Sequence, residues 1–306
     1  MVNAKTQQPA LVVAPSGKRN YPDDMSSRPR IAFQGVMGAY SHMACAAAYP
    51  DMEPVGFNTF ARAFAAVENG ECDLGMIPIE NTLGGRVADI HHLLPESSLY
   101  IIGEHYQPVR HQLLAPESAS LETLKTVASH EQGLAQCRDL IRELGVEPMD
   151  FGDTAGAAKE AAERNDPSFG AIASELAAEI YGLKILRGRI EDRLGNTTRF
   201  VVMSRTAVEP DPLAGDAMTS LVFETRSTPG ALYKALGGFA TNGVNITKLE
   251  SYIIDQSFTA AQFYAEVEGH PSDPAIANAF EELQFFCTKM KRLGTYPKSD
   301  WRAQNN

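Results

Sequence analysis

Apolar residues first cluster at Arg30-Ile-Ala-Phe-Gln-Gly35, a short run closed by glycine. From there two periods alternate along the chain. Spacings of three and four between Ala, Leu and Ile predict helices over 40–49, 59–69, 84–94, 131–144, 154–164 and 173–181. Between them, short apolar runs predict strands over 74–79, 99–104, 111–115, 126–128, 169–173 and 199–204. Strands alternating with helices of this length imply α/β layers with largely parallel sheet.

The pattern breaks over 207–217, which holds Pro210, Pro212, Gly215 and three acids and reads as a linker. Beyond it the period changes. Residues 219–225 alternate as a strand, and 230–241 form a helix with Leu232, Leu236, Phe239 and Ala240 on one face. Strands over 244–254 and 258–268 flank a turn at Asp255-Gln256, followed by a helix over 275–286 and a strand over 288–293. The order βαββαβ is the ferredoxin-like split unit. Residues 1–28 contain Pro9, Pro15 and Pro22 with no sustained period, and read as a flexible tail.

Composition narrows the function. With Lys plus Arg at 27 and Asp plus Glu at 38, the 306-residue chain has a formal charge of −11. That balance disfavours nucleic acid and anionic membrane as partners, and leaves room for an anionic small molecule in a local basic pocket. At 44% hydrophobic residues the chain can bury a core. No apolar run approaches the length of a membrane span, and no signal peptide is legible, so the expected location is the cytoplasm. Cys45, Cys72, Cys137 and Cys287 form no CxxC and no zinc spacing, which suits buried reduced thiols.

Candidate chemistry gathers where strands give way to helices. Gly35-Val-Met-Gly38-Ala-Tyr40-Ser41, Pro78-Ile-Glu80-Asn81-Thr82-Leu-Gly84-Gly85, Ser129-His130-Glu131-Gln132 and Asp153-Thr154 all lie at such junctions. The third has the spacing of a capping box. Each alone reads as ordinary helix capping. Four at strand C-terminal ends of one α/β region describe a cleft of hydroxyls, amides and helix N-termini suited to a carboxylated molecule. There is no dinucleotide fingerprint, P-loop or nucleophile elbow. Asn196-Thr197-Thr198-Arg199-Phe200 opens an apolar strand, with Arg199 able to hold a carboxylate and Thr198 able to donate to a leaving hydroxyl.

Together these segments resemble the prephenate dehydratase family. Its Gly-x-x-Gly start, Pro-x-Glu-Asn block, Ser-His-Pro-Gln block and Thr-Arg-Phe block appear here in order, at Gly35–Ser41, Pro78–Val87, Ser129–Gln132 and Thr198–Phe200. The C-terminal module resembles an ACT domain through Gly230-Ala-Leu232 and Asn245-Ile-Thr-Lys-Leu249-Glu250-Ser251. The resemblance implies a two-lobed dehydratase domain like a type II periplasmic binding protein over 29–206. Lobe one would be 30–105 plus 190–206 and lobe two 107–187, followed by the 207–217 linker and an ACT domain over 218–300.

The resemblance further implies conversion of prephenate to phenylpyruvate, water and carbon dioxide. Thr198 would act on the departing hydroxyl, Arg199 would anchor a carboxylate, and Phe200 would pack beside the ring or brace the site. Ser41, Asn81, Thr82, Gly84, Gly85, His111, Ser129, Gln132 and Thr154 would bind substrate. Gly230, Ala231, Leu232, Asn245, Leu249, Glu250 and Ser251 would form an effector site for L-phenylalanine, with no metal or organic cofactor and a homodimer or homotetramer as the assembly. Two departures stand out: Glu131 replaces the proline of the third block, and Tyr252-Ile253 replaces the Arg-Pro pair of the ACT motif. The alternatives are an arogenate dehydratase and a non-catalytic small-molecule binding protein.

Overall fold

The first two strands are each followed by a helix that packs on the sheet. In this computed structural model, which describes residues 28–226, 228–253 and 261–305, β1 (Arg30–Gln34), α1 (Tyr40–Ala48), β2 (Glu53–Phe57), α2 (Phe60–Glu68) and β3 (Leu74–Asn81) form the opening run. It continues through β4 (Gly85–Arg86), α3 (Leu93–Glu96) and β5 (Tyr100–Pro108). A second run follows: β6 (Gln112–Ala115), β7 (Thr126–Ser129), α4 (Glu131–Gln136), α5 (Arg138–Leu144), β8 (Glu147–Asp150), α6 (Thr154–Arg164), β9 (Phe169–Ala173), α7 (Glu175–Tyr181) and β10 (Lys184–Gly188). The chain then returns to the first sheet as β11 (Thr197–Ser204).

The first sheet has the order β2-β1-β3-β11-β5, with β4 paired to β3; the second has the order β10-β6-β9-β7-β8. Both are mixed. In the first, β1 runs parallel to β2 and β3 while β4 is antiparallel to β3. In the second, β7 runs parallel to β8 and β9, while β6 is antiparallel to β9 and β10. The largely parallel sheet expected from the alternation of elements is corrected accordingly.

Strands β2, β8 and β10, absent from the sequence prediction, all sit at sheet edges. An edge strand is not buried along its length, so β2 tolerates Pro54 and β8 the run Glu-Pro-Met-Asp. The helix expected over 131–144 is broken at Cys137 into α4 and α5. The helix expected over 84–94 becomes β4, a 3-10 turn (Ala88–His91) and α3.

In the second lobe the alanine face of α6 (Ala155, Ala157, Ala158, Ala161) packs on Ala128, Phe169, Ala171 and Ala173 of the sheet. Small side chains on both surfaces let the helix approach closely. The four cysteines are free and buried.

By contacts, residues 29–98, 103–203 and 299–305 form one compact unit, and Leu99–Ile102 with Ser204–Lys298 the other. The latter holds β12 (Ala217–Thr225), α8 (Ala231–Thr241), β13 (Ile246–Ile253), β14 (Ala261–Glu268), α9 (Pro274–Phe286) and β15 (Cys287–Pro297). Its sheet, β13-β14-β12-β15, is antiparallel throughout. Phe239 of α8 and Leu283 of α9 are buried against Leu221, Phe223 and Ala265. Each such side chain removed from water contributes about 2 kcal/mol. The tail over 1–27 and the turn at Asp255-Gln256 lie outside the described residues. A last helix, α10 (Asp300–Asn305), belongs with the α/β unit.

Candidate active site

The site begins where β3 ends and β11 begins, two neighbours in the first sheet. The Thr82 N–H donates to the Thr197 carbonyl at 3.0 Å, and the Thr82 hydroxyl accepts from the Thr197 N–H at 3.0 Å while donating to the Gly195 carbonyl at 3.0 Å. Thr82 is therefore a brace between the strands.

One residue earlier, the Asn81 Oδ1 accepts two backbone N–H groups, from Leu83 at 2.9 Å and Gly84 at 2.7 Å. This Asx turn fixes which end of the amide faces the sheet. The Nδ2 end then donates to Thr198 Oγ1 at 3.0 Å and to Asn196 Oδ1 at 2.8 Å. Thr198 Oγ1 is thereby an acceptor toward the protein. Among the described residues its own proton has no acceptor, so the half-buried hydroxyl remains a donor for something else.

Strand geometry separates Thr198 from Arg199. Successive side chains of a strand point to opposite faces, and Arg199 points away from Asn81. Its Nε donates to Glu104 of β5 at 2.8 Å, and its side chain is only 6% exposed. Glu104, fully buried, also receives Arg302 of α10 at 2.8 and 2.9 Å and the Ser299 N–H at 3.0 Å. Burial opposes its charge, but the Arg302 hydrogen bond and the field of Arg199 outweigh this and hold the carboxyl below its usual value. Arg199 thus belongs to a buried ion cluster with Glu104 and Arg302, on the far side of β11 from Asn81. Phe200, 1% exposed, braces the core.

From Asn196 the network crosses between lobes. The Asn196 Nδ2 donates to Gln136 Oε1 at 2.7 Å, and His111 Nε2 lies 2.9 Å from the same oxygen. His111 Nδ1 lies 3.0 Å from the Tyr40 hydroxyl, which also reaches the Arg110 carbonyl at 2.9 Å. Burial lowers the His111 pKa, against opposing effects of Gln136 and Glu191, and keeps the ring neutral. The His111 N–H donates to Glu191 at 3.1 Å. His111 is 3% exposed.

The second lobe corrects another expectation. Ser129 is fully buried and donates its hydroxyl to the Ile172 carbonyl at 2.7 Å, so it neither caps α4 nor offers its proton to a cleft. His130 is the cap, its Nδ1 accepting the Gln132 N–H at 3.2 Å. Thr154 opens α6, capped by Asp153. Ser41 lies in the first turn of α1, half-buried and with no side-chain hydrogen bond among the described residues.

A cavity of about 380 Å³ is lined by Leu83, Gly84, Gln132, Gln136, Arg138 and Arg193, with Ala135 and Asp192. A Cβ on Gly84 would come within 3.1 Å of Gln132 Oε1 and 3.3 Å of Asn81 Oδ1, so a larger residue here would push on both amide side chains. Gly85 adopts a positive φ of 75°. Arg138 and Arg193 are exposed, and neither guanidinium has a partner among the described residues. Sequence reading missed both. Arg138 reaches the cavity because α4 stops at Cys137 and α5 restarts there, with Asp192 accepting the first two N–H groups of α5.

In the ferredoxin-like unit a second cavity, of about 430 Å³, is lined by Thr225, Arg226 and Thr228–Tyr233, and so includes Gly230, Ala231 and Leu232. Gly230 caps α8 at a φ of 74°. Asn245, Leu249, Glu250 and Ser251 do not line it. Asn245 donates to Glu268 at 2.8 Å, and Glu250 accepts from Lys248 at 3.2 Å.

Comparison with known proteins accords with this geometry. Residues 31–208 match the family model for prephenate dehydratase, and residues 219–285 match that of the ACT domain. A Komagataeibacter europaeus protein named bifunctional N-acyl-homoserine lactone acylase/prephenate dehydratase is 48% identical, covering 92% of this chain and 100% of that protein. Arogenate dehydratase/prephenate dehydratase 2 of Arabidopsis thaliana is 41% identical over 89% of this chain and 73% of its own. The structure of an Arthrobacter aurescens prephenate dehydratase in complex with L-Phe superposes with a TM-score of 0.82 at 28% identity, covering 89% of this chain and 90% of that one.

Proposed function

The chain belongs to the prephenate dehydratase family and carries an ACT domain, and on that premise we propose that Thr198 drives loss of the ring hydroxyl from prephenate. One observation carries the reading: Asn81 occupies the Thr198 oxygen as a hydrogen-bond donor and leaves the Thr198 proton available. Prephenate bears two carboxylates and a ring hydroxyl opposite the quaternary carboxylate. The C–O bond to the hydroxyl breaks as Thr198 donates to that oxygen. The C–C bond to the carboxylate breaks, its electron pair completing the aromatic ring, and carbon dioxide departs. One proton from solvent completes the water, so a dianion becomes the phenylpyruvate monoanion. A fixed donor aimed at developing negative charge is the usual source of rate in such a step.

Arg138 and Arg193 suit the two carboxylates, being guanidinium groups that line the cavity while the neighbouring Asp192 carboxylate is taken up by the Arg138 and Asp139 N–H groups. Gln132 and Gln136 supply further amide groups from the second lobe. L-Phenylalanine is the proposed effector, its site the cavity at Gly230–Leu232, where Arg226 is available to its carboxylate. A homodimer or homotetramer is the proposed assembly.

The test is product formation from prephenate, arogenate and an N-acyl-homoserine lactone in parallel. Phenylpyruvate from prephenate at the highest kcat/KM is the expected result. A large preference for arogenate reassigns the substrate. The 48% identity to the Komagataeibacter europaeus relative over its whole length makes amide hydrolysis the second reading, and homoserine lactone release without dehydration would replace the first.

A further inference from the structure

The hydrogen-bond network has a direction, and a single source sets it. The Leu83 and Gly84 N–H groups are backbone donors and can only donate. Asn81 Oδ1 must accept them, so Asn81 Nδ2 must donate to Asn196 Oδ1 at 2.8 Å. Asn196 Nδ2 must then face Gln136, whose Oε1 accepts at 2.7 Å. The same oxygen accepts from His111 Nε2 at 2.9 Å, which requires the proton of the neutral ring on Nε2 and a lone pair on Nδ1. Tyr40 lies 3.0 Å from Nδ1, its single proton shared between that lone pair and the Arg110 carbonyl at 2.9 Å. With both uses of Oε1 inside the network, the Gln136 NH₂ group is left for the cavity that Gln136 lines.

We infer that Asn196 is a positioning residue: it carries the amide orientation set at Asn81 across the lobe junction, so that Thr198 and Gln136 both face substrate as donors while His111 is held in its Nε2–H tautomer. Asn196 is 1% exposed and touches no cavity. It acts through Gln136 alone. A substrate built of carboxylates, a ketone and a hydroxyl offers acceptors throughout, and a Gln136 turned to present its oxygen would repel them. The lobes are also brought into register by the same amide, since Asn81 and Asn196 belong to the first lobe's strand ends and Gln136 to α4.

The kinetic arm rests on the dehydratase reading; the tautomer arm does not. The Asn196→Asp variant keeps the acceptor for Asn81 and removes the donor for Gln136. The Gln136 amide then turns its nitrogen toward position 196 and toward His111, which forces the ring to the Nδ1–H form. The experiment is ¹⁵N NMR of histidine-labelled protein, with the His111 signal assigned by its loss in His111→Gln, alongside kcat and KM for prephenate. The expected result is Nε2–H in the wild type and Nδ1–H in Asn196→Asp, with kcat reduced about tenfold or more and KM changed far less. An Nδ1–H tautomer in the wild type overturns the inference without any variant having to fold. So does an Asn196→Asp protein that keeps the Nε2–H form and a kcat within about two-fold of wild type. Absence of prephenate turnover in the wild type would overturn the dehydratase reading and leave the tautomer result to decide the inference.

Discussion

At the scale of single residues, two arginine assignments separate. Arg199 bonds Glu104 through Nε on the face of β11 opposite Thr198, whereas Arg138 and Arg193 line the cavity with no ion-pair partner among the described residues. Arg199→Met should therefore lower stability by about 3 kcal/mol, the scale of removing one partner from a buried charge cluster, with KM for prephenate unchanged in the folded protein. Arg138→Ala and Arg193→Ala should instead raise KM several-fold, with little change in melting temperature. Denaturant unfolding and initial-rate kinetics on the three variants check this. The family resemblance in the sequence placed Thr198 and Arg199 together because they are adjacent. Within a strand, neighbouring side chains point to opposite faces, so Thr198 and Arg199 face away from each other.

Among the elements, α10 stands apart. It follows β15 of the ferredoxin-like unit, yet packs with the α/β unit, where Arg302 closes on Glu104 and Trp301 stacks on Tyr106 at 4.1 Å between ring centroids. Truncation after residue 298 should uncover Tyr106 and leave Glu104 with Arg199 and the Tyr106 hydroxyl, lowering the melting temperature measurably by calorimetry. The acid limb of stability follows from the same carboxylate. Its folded pKa lies below the unfolded value of 4.5, so its contribution is complete above that value and is lost as pH falls below it. A Glu104→Gln variant should show a shallower loss of stability as pH falls below 4.5.

No sequence signal pointed to α10, because six residues of DWRAQN show no sustained period. The edge strands β2, β8 and β10 were invisible for a related reason: partial burial demands no apolar run. The elements buried on both faces, β3, β9 and β12 among them, were legible within a residue or two at most ends. Of the site, the residue types at strand ends were legible. Their hydrogen-bond direction was not, because it depends on which backbone N–H groups the Asx turn of Asn81 collects.

For the whole molecule, an acidic chain of net charge −11 meets an anionic substrate with a local pair of guanidinium groups, Arg138 and Arg193, in one cavity. Raising ionic strength should therefore increase KM for prephenate more than it lowers kcat. The ACT domain adds a second level. L-Phenylalanine should suppress turnover, and Arg226→Ala should weaken that suppression while leaving basal turnover intact. Isothermal titration with L-phenylalanine, in parallel with rate measurements, distinguishes an effector site from a scaffold.

The central claim is that Thr198 serves as a hydrogen-bond donor to the departing hydroxyl. Its most direct test is phenylpyruvate formation from prephenate by the wild type, Thr198→Ser and Thr198→Val. Valine keeps the shape and the branch of threonine while deleting the donor. The account predicts that serine retains substantial turnover and that valine lowers kcat by about 10²–10³-fold with KM little changed, as for loss of one preorganised donor. A folded Thr198→Val enzyme with wild-type kcat would contradict it.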